Sequence, residues 1–527
     1  MSKITVSLEN DKGFSWFTEK GVSFKGYIFS EENFIEGSDA AFFIKKIIDD
    51  SEDLSSSLKN LNGVFSFVYE GSKKTILCCD RTRTFPLFYY SDEEQLLVSD
   101  NPDMIEVTSK DIDDDSLKLF LFSGYVPGDK TLLKEIKQVQ AGEFVAADKN
   151  GLQNQFYHKY KASEFRNDEE NLKAELKNIF LSAGKRLKSS LEGKVPVLPL
   201  SSGYDSRLIA CLLKMNGFDN VLTFTYGRKN NYELEISRKT AEILGYKWMN
   251  ILYDDETVRD FLRSEDFNRY YPGSSNYTSM FYLQEFFAVG NLRSVLPENA
   301  VFIPGHSGDS VAGSHIKESL FEDFSKDELI EHIIRSHFNY RKPSAKDISF
   351  IKEELNGIIP EKSIYNHNDY QNWILKERHG KMIINSNRIY EFFDFGFRMP
   401  LVDSEFIDFF ENISPELKLG KKLYDSVLKE YFFEPLSLNF DRETNPSDKD
   451  IKVQTAKNSI KKILPKSVVN YYKEKVRANS DTFFNIGVTD EMIKDMKSSG
   501  VEPDMTGENR NSILIQWYVQ QLINKRF

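Results

Sequence analysis

Six consecutive residues carry the densest chemistry in this chain: Ser201, Ser202, Gly203, Tyr204, Asp205 and Ser206. An apolar run (Val195, Val197, Leu198, Leu200) ends there, and a periodic apolar segment (Leu208, Ile209, Leu212, Leu213) begins, with Gly217 as its stop. The pattern predicts strand, tight polar loop, helix. Backbone N–H groups of such a loop point outward, where the helix dipole favours an anion. The three serines add hydroxyl donors. A carboxylate beside a phosphate cradle calls for a cation between the two charges, so Asp205 points to Mg²⁺. No Gly-Lys-Ser/Thr follows, which excludes a Walker loop. An ordinary serine-rich strand-to-helix turn fits the same six residues, and Pro196 and Pro199 are awkward in a central parallel strand. A second loop, Pro304-Gly305-His306-Ser307-Gly308-Asp309-Ser310, brackets an aspartate with glycines after the apolar run 300–303.

The flanking chain supplies elements that would position these loops. A periodic helix is predicted over 170–191, strands over 220–226 and 248–253, and a helix over 233–244. Strands alternating with helices imply a doubly wound parallel sheet, whose ligands bind at the carboxyl ends of strands. Both loops fall at such ends. Glu233 and Glu235 open the second helix, as candidate site acids or as a solvated first turn. Residues 1–155 differ. Short β-type runs dominate (ITVSL, VSFKGYIF, GVFSFVYE, KTILCCD, FPLFYY, QLLVSD), with two helical patterns (AAFFIKKIIDD, SSLKNLN). They predict a largely antiparallel β domain.

Bulk properties narrow the class. The chain has 527 residues, too many for one core. It lacks an 18-residue apolar run, so no membrane span is expected, and the N-terminus does not read as a secretory signal. The net charge of −12 disfavours nucleic acid as a partner. Three cysteines (Cys78, Cys79, Cys211) are too few for a disulfide framework or a zinc site. A cytoplasmic location is expected, and a homodimer stays open.

The motifs in their order resemble the asparagine synthetase family. Ser201–Ser206 is similar to the pyrophosphate loop (Ser-Gly-Gly-x-Asp-Ser) of the ATP pyrophosphatases, with Ser202 at a glycine position. Asn62-Gly63-Val64-Phe65-Ser66-Phe67, Asp80-Arg81, the run from Pro86 to Tyr90, the run from Gly124 to Thr131, and Ala141-Gly142-Glu143 resemble the class II glutamine amidotransferase domain. The resemblance implies an antiparallel, N-terminal-nucleophile-hydrolase-like domain over 1–155. A doubly wound synthetase domain over 156–445 and a helical extension over 446–527 would follow. It also implies a nucleophilic cysteine at the mature N-terminus, where this chain has Ser2. A serine there is a far weaker nucleophile, and the family's Arg-Gly-Pro motif has no counterpart. The front domain is therefore expected to be inactive as a glutaminase, with Asn62 and Gly63 reduced to turn residues.

By the same resemblance, ATP would lie on Leu200, Ser201, Ser202, Gly203, Asp205, Ser206, Thr225, Gly227 and Gly305. Asp205 and Asp309 would hold Mg²⁺. The loop at 304–310 stands where the family has Gly-Glu-Gly-Ser-Asp-Glu. His306 replaces the first Glu, either as a base near neutral pH or as a structural hydrogen-bonder. The segment 388–403 resembles the family's acceptor-pocket segment, with Arg398, Pro400 and Asp403 matching. Arg398 would bind a substrate carboxylate or form a structural ion pair. β-Lactam synthetases use a Tyr–Glu pair on an amine, but Tyr390 and Glu391 are adjacent and face apart on a helix. The family's catalytic Lys would fall near Arg442-Glu443-Thr444, where Thr stands instead; Lys421, Lys422 and Lys429 are unranked substitutes.

The activity implied is an ATP-dependent, AMP-forming carbon–nitrogen ligase, with His306, Asp309 and Arg398 as its catalytic residues. A small-molecule carboxylate, aspartate or a uronic or amino-sugar acid, would be adenylated, pyrophosphate released, and the acyl group passed to ammonia or an amine. The loops look closest to a bacterial polysaccharide-cluster subgroup. Intramolecular amide closure and a nucleotide-binding scaffold are the alternatives.

Overall fold

A computed structural model describes residues 3–9, 13–162, 164–228, 232–254, 260–322, 325–360, 366–440, 488–507 and 510–524. Ser2, the segment 442–444 and residues 446–487 of the expected helical extension lie outside them.

Eleven strands form two sheets between residues 3 and 156. They are β1 (Lys3–Ser7), β2 (Phe17–Glu19), β3 (Val22–Ser30), β4 (Asn33–Glu36), β5 (Asn62–Glu70) and β6 (Thr75–Cys79). β7 (Phe88–Ser91), β8 (Gln95–Ser99), β9 (Lys137–Gln138), β10 (Glu143–Asp148) and β11 (Gly151–Phe156) complete the set. One sheet runs β1-β8-β7-β9; the other runs β11-β10-β6-β5-β3-β2, with β4 on β3. Every pair is antiparallel except β1 with β8. β6 is buried on both faces, and its period of two splits it between two cores. Ile76 and Cys78 meet Ala40, Ala41 and Ile44 of the helix Gly37–Asp50. Leu77 and Cys79 meet Leu96 and Val98 of the facing sheet and Leu87 just before β7.

The second domain is built on five parallel strands: β12 (Val195–Pro199), β13 (Leu222–Gly227), β14 (Lys247–Leu252), β15 (Ala300–Phe302) and β16 (Gly396–Phe397). Their order is β14-β13-β12-β15-β16. Both faces are covered, which gives the strands continuous apolar runs. Leu198 and Val301 pack with Leu176, Phe180 and Leu208 of the helices Glu169–Ser190 and Tyr204–Met215. Val197 and Phe302 face Phe286, Tyr390 and Phe397.

β12 is central despite its prolines, and the register explains why. The Leu200 N–H bonds Phe224 O on β13, and the Val195 N–H bonds Asn299 O on the β15 side. Amides of even-numbered residues therefore face β13 and those of odd-numbered residues face β15. Pro196 is registered only against Val301 of β15, and Pro199 only against Phe224 of β13. Each missing N–H thus lies on the unpaired side, and no ladder bond is lost.

The chain runs outward from β12 through β13 to β14, then returns to the other side of β12 for β15. The reversal between β12 and β15 is a topological switch point, where loops part and leave a crevice. It places the loops 200–203 and 303–307 side by side. Helices dominate the remainder, including Val488–Ser498 and Asn511–Asn524, joined by a bond from the Trp517 indole to Asp495 (2.8 Å). No helix among the described residues is long and apolar enough to cross a membrane.

Candidate active site

A cavity of about 330 Å³ opens at the switch point. Its floor is Leu200, Ser201, Gly203, Asp205 and Ser206, and one flank is Phe224, Thr225 and Tyr226. Pro304, Gly305, His306 and Asp309 close the opposite side. Within the first loop, the Gly203 N–H donates to Ser201 Oγ (3.1 Å) and the Ser201 N–H to Ser206 Oγ (3.2 Å). These bonds tighten the turn. The helix Tyr204–Met215 starts from Gly203 without a side-chain cap. Its first amides keep their capacity for an anion.

Arg207, outside the cavity lining, holds the loop in place and was not singled out from sequence. It is buried, donates to Ser202 O (3.1 Å) and Phe440 O (2.7 Å), and lies over the rings of Tyr204, Phe433 and Phe440. It ties the loop to the chain at 440.

The two loops touch through Asp205. One carboxylate oxygen accepts from the Tyr424 hydroxyl (2.8 Å), the other from the Asp309 N–H (2.9 Å). Glycine is required at both contact points of the second loop. A Cβ on Gly305 would stand 2.9 Å from Ser206 N, and one on Gly308 would stand 2.7 Å from Asp205 Oδ2. Burial pushes the Asp205 carboxyl up to about 7, and the Asp309 carboxylate adds to the rise. Asp309 is exposed. A divalent cation relieves this like-charge pair, and two carboxylates beside an anion cradle fit the hard oxygen ligands of Mg²⁺. Among the described residues, the one cluster of three potential metal ligands is His158, Asp408 and Glu411, elsewhere in the chain. There Asp408 is engaged by Arg81 (2.6 Å).

The far wall holds Tyr282 and Glu285, neither singled out from sequence. Glu285 is 6% exposed, and its oxygens accept from the hydroxyls of Tyr390 (2.5 Å) and Tyr226 (3.5 Å). Burial pushes its carboxyl up to about 7, against these two bonds. Tyr390 therefore does meet a glutamate, supplied by a segment 105 residues upstream. Glu391 faces away, onto Lys25 (3.2 Å) and Arg388 (3.2 Å).

Other expected residues fall as follows. Thr225 lines the cavity, its hydroxyl bonded to Leu200 O and to Ser237 (both 2.7 Å). Ser202 and Gly227 stand outside the lining; the Ser202 hydroxyl points to Glu233 (3.5 Å), which does line it. Glu235 is exposed. His306 lines the cavity and pairs with the Ser386 hydroxyl (3.0 Å). Burial lowers its pKa to about 4, so the imidazole is neutral and weakly basic. Lys421 lines the cavity beside Asp425 (3.2 Å). Lys422 pairs with Glu169 on the surface (2.8 Å), and Lys429 lies over Tyr204. Geometry thus ranks the three lysines where sequence does not.

Arg398 lies outside the cavity lining and takes the structural ion-pair alternative rather than the substrate-binding one. It is buried over the rings of Tyr27 and Phe34, 3.6 Å from Glu36, all in the front domain. Asp403 is nearby, paired with Arg186 (2.7 Å) and accepting from Asn62 Nδ2 (3.0 Å). The Ser404 N–H donates to Asn62 Oδ1 (3.1 Å). Asn62 is thus a strut between domains rather than a turn residue. The cavity around Asn62, Gly63 and Arg398 measures about 20 Å³, room for about one water. Asp80 is equally committed, accepting from the N–H groups of Phe65 (2.9 Å) and Thr82 (2.6 Å).

No curated protein matches the chain. Among solved structures, NH3-dependent NAD synthetase from Campylobacter jejuni is 15% identical, over 38% of this chain and 100% of that one, with a TM-score of 0.20. NMN synthetase from Francisella tularensis is 13% identical, over 41% and 97%, with a TM-score of 0.21. Glutamine phosphoribosylpyrophosphate amidotransferase from B. subtilis is 10% identical, over 57% and 59%, with a TM-score of 0.18. One family model matches in sequence: residues 27–160, which take in β4 to β11, match the glutamine amidotransferase domain.

Proposed function

We propose that this protein is an ATP-dependent carbon–nitrogen ligase that adenylates a small-molecule carboxylate and passes the acyl group to ammonia or an amine. The observation that carries the reading is the meeting of Asp205, in the first turn of the uncapped helix from Gly203, with the Asp309 loop in the switch-point crevice. The loop amides would cradle phosphate, with Thr225 and Leu200 beside the nucleotide base. Asp205 and Asp309 would hold Mg²⁺, which when bound withdraws charge from phosphate oxygens. Lys421 would offset the negative charge that develops as pyrophosphate separates. No arginine lines the cavity among the described residues, which favours a substrate with one carboxylate over aspartate. His306, neutral and held by Ser386, orients rather than deprotonates.

Nitrogen would come from solution rather than glutamine. The commitment of Asn62 to Asp403 and Ser404, and the small size of the cavity beside it, support an inactive front domain.

The test is Mg-ATP-dependent pyrophosphate release with uronic acids, amino-sugar acids, aspartate and peptides as carboxylates, and ammonium or glutamine as nitrogen source. Release with one carboxylate and ammonium, but not with glutamine, is expected. Equal use of glutamine would overturn the inactive-domain reading. ATP binding without release for any carboxylate would favour a nucleotide-binding scaffold.

A further inference from the structure

Glu285 presents a problem of charge. It is a buried carboxyl on the wall of an open cavity, and no Lys, Arg or His pairs with it among the described residues. Its bonds come from two neutral tyrosine hydroxyls. A buried carboxylate without a counter-ion is costly, so the group either holds its proton or takes a cation from the cavity. Its surroundings are aromatic. Tyr226 and Tyr282 line the cavity with it, Tyr226 stacks on Tyr253 (5.5 Å), and Tyr390 stacks on Phe302 (4.5 Å). A carboxylate on a cavity wall, held by tyrosine hydroxyls and with no cation of its own, suits an ammonium group, which brings N–H donors together with the missing positive charge. It suits Mg²⁺ poorly, because that ion needs several oxygen ligands in octahedral array.

We propose that Glu285, framed by Tyr226, Tyr282 and Tyr390, docks the nitrogen nucleophile of the reaction as an ammonium ion, either ammonium itself or the primary ammonium of an organic amine. This rests on the ligase reading above. The site then has two poles. Asp205 and Asp309 serve the phosphates, and Glu285 serves the amine. To react, the docked ammonium loses one proton to a Glu285 oxygen. The freed nitrogen lone pair attacks the acyl carbon, the C–N bond forms, and the C–O bond to AMP breaks with its electrons leaving on AMP. The second N–H proton departs to solvent.

The experiment compares wild type with Glu285→Gln and Tyr390→Phe. In Glu285→Gln, KM for the amine is expected to rise at least tenfold more than KM for Mg-ATP in pyrophosphate exchange. Tyr390→Phe, which keeps the carboxylate, is expected to give a smaller rise of the same kind. Equal changes in both KM values would overturn the proposal. A second arm needs no turnover. Methylammonium chloride, against sodium chloride, is expected to raise the unfolding temperature of wild type but not of Glu285→Gln, and tetramethylammonium, which has no N–H, to raise neither. Absence of methylammonium stabilisation in wild type, or stabilisation by MgCl₂ that Glu285→Gln abolishes, would overturn it. If wild type shows no pyrophosphate exchange, the ligase reading fails, and the methylammonium arm alone decides whether Glu285 binds ammonium.

Discussion

Asp205 is asked to be a metal ligand while sitting half-buried beside a second carboxylate. Its raised pKa, about 7 against an ordinary 3.8, follows first from burial and then from Asp309. The sign of the linkage is fixed. Between about pH 4 and 7 the folded state holds a proton that the unfolded chain has released, so this group's contribution to stability falls as pH rises and levels off above 7. Buried histidines such as His306 act in the opposite sense, because their lowered pKa makes folding easier as pH rises to about 6.5. Asp205→Asn removes only the first effect. Relative to wild type without metal, the variant is expected to gain about 1 kcal/mol between pH 5 and 7.5, discounted for solvent screening. Unfolding midpoints of both proteins across that range check this, and parallel pH profiles would refute it. The same variant should lose at least ~100-fold in Mg-ATP-dependent pyrophosphate release, because one of two metal-binding carboxylates is gone.

Two strand-to-helix loops do the positioning, and they work because glycine lets them touch. On Gly308 a Cβ would fall 2.5 Å from the Tyr424 hydroxyl and 2.7 Å from Asp205 Oδ2. Gly308→Ala is expected to cost about 1–3 kcal/mol through overpacking and to separate Asp309 from Asp205. Activity should then fall more than stability explains. A thermal melt with an ATP-binding titration tests it, and unchanged ATP affinity with full activity would show that the loops do not depend on the contact. The loops themselves were legible in sequence. The apolar run into Ser201 and the periodicity from Leu208 predict the strand Val195–Pro199 and the helix Tyr204–Met215 within a few residues. The far wall was not. Glu285 lies in a stretch without periodicity, and its partner Tyr390 comes from a helix of five residues more than a hundred positions away. Local pattern carries no information about such a meeting. Arg398 shows the converse: a motif match fixes where a residue stands in the chain, but its side chain turned to Tyr27 and Phe34 of another domain.

At the scale of the whole molecule, the front domain reads as a support for the cavity wall. Its rings enter the core of the second domain, with Phe14 and Phe85 against Phe397 (4.9 and 5.9 Å). Beside them Lys25 of β3, 2% exposed, meets Glu391, 1% exposed, at 3.2 Å. Glu391 also holds Arg388 (3.2 Å), and its carbonyl accepts from the Gly13 N–H (3.3 Å). Its neighbour Tyr390 points the other way, to Glu285 on the cavity wall. One short helix therefore joins a buried interdomain ion pair to the proposed amine site. With Asp100, 4.0 Å from Lys25, the cluster holds two cations and two carboxylates, so removing Lys25 alone leaves one excess negative charge that Arg388 meets in part, whereas removing Lys25 and Glu391 together keeps the charges balanced. Lys25→Met is expected to destabilise by less than the ~3–5 kcal/mol of an isolated buried pair, because Arg388 stays on Glu391, and Lys25→Met with Glu391→Gln to recover part of that. If the helix transmits the disturbance, Lys25→Met should also raise KM for the amine while KM for Mg-ATP moves less, and the double variant should reverse both changes together. Loss of stability without a change in the amine KM would confine the front domain to a structural role and leave the wall at Tyr390 independent of it.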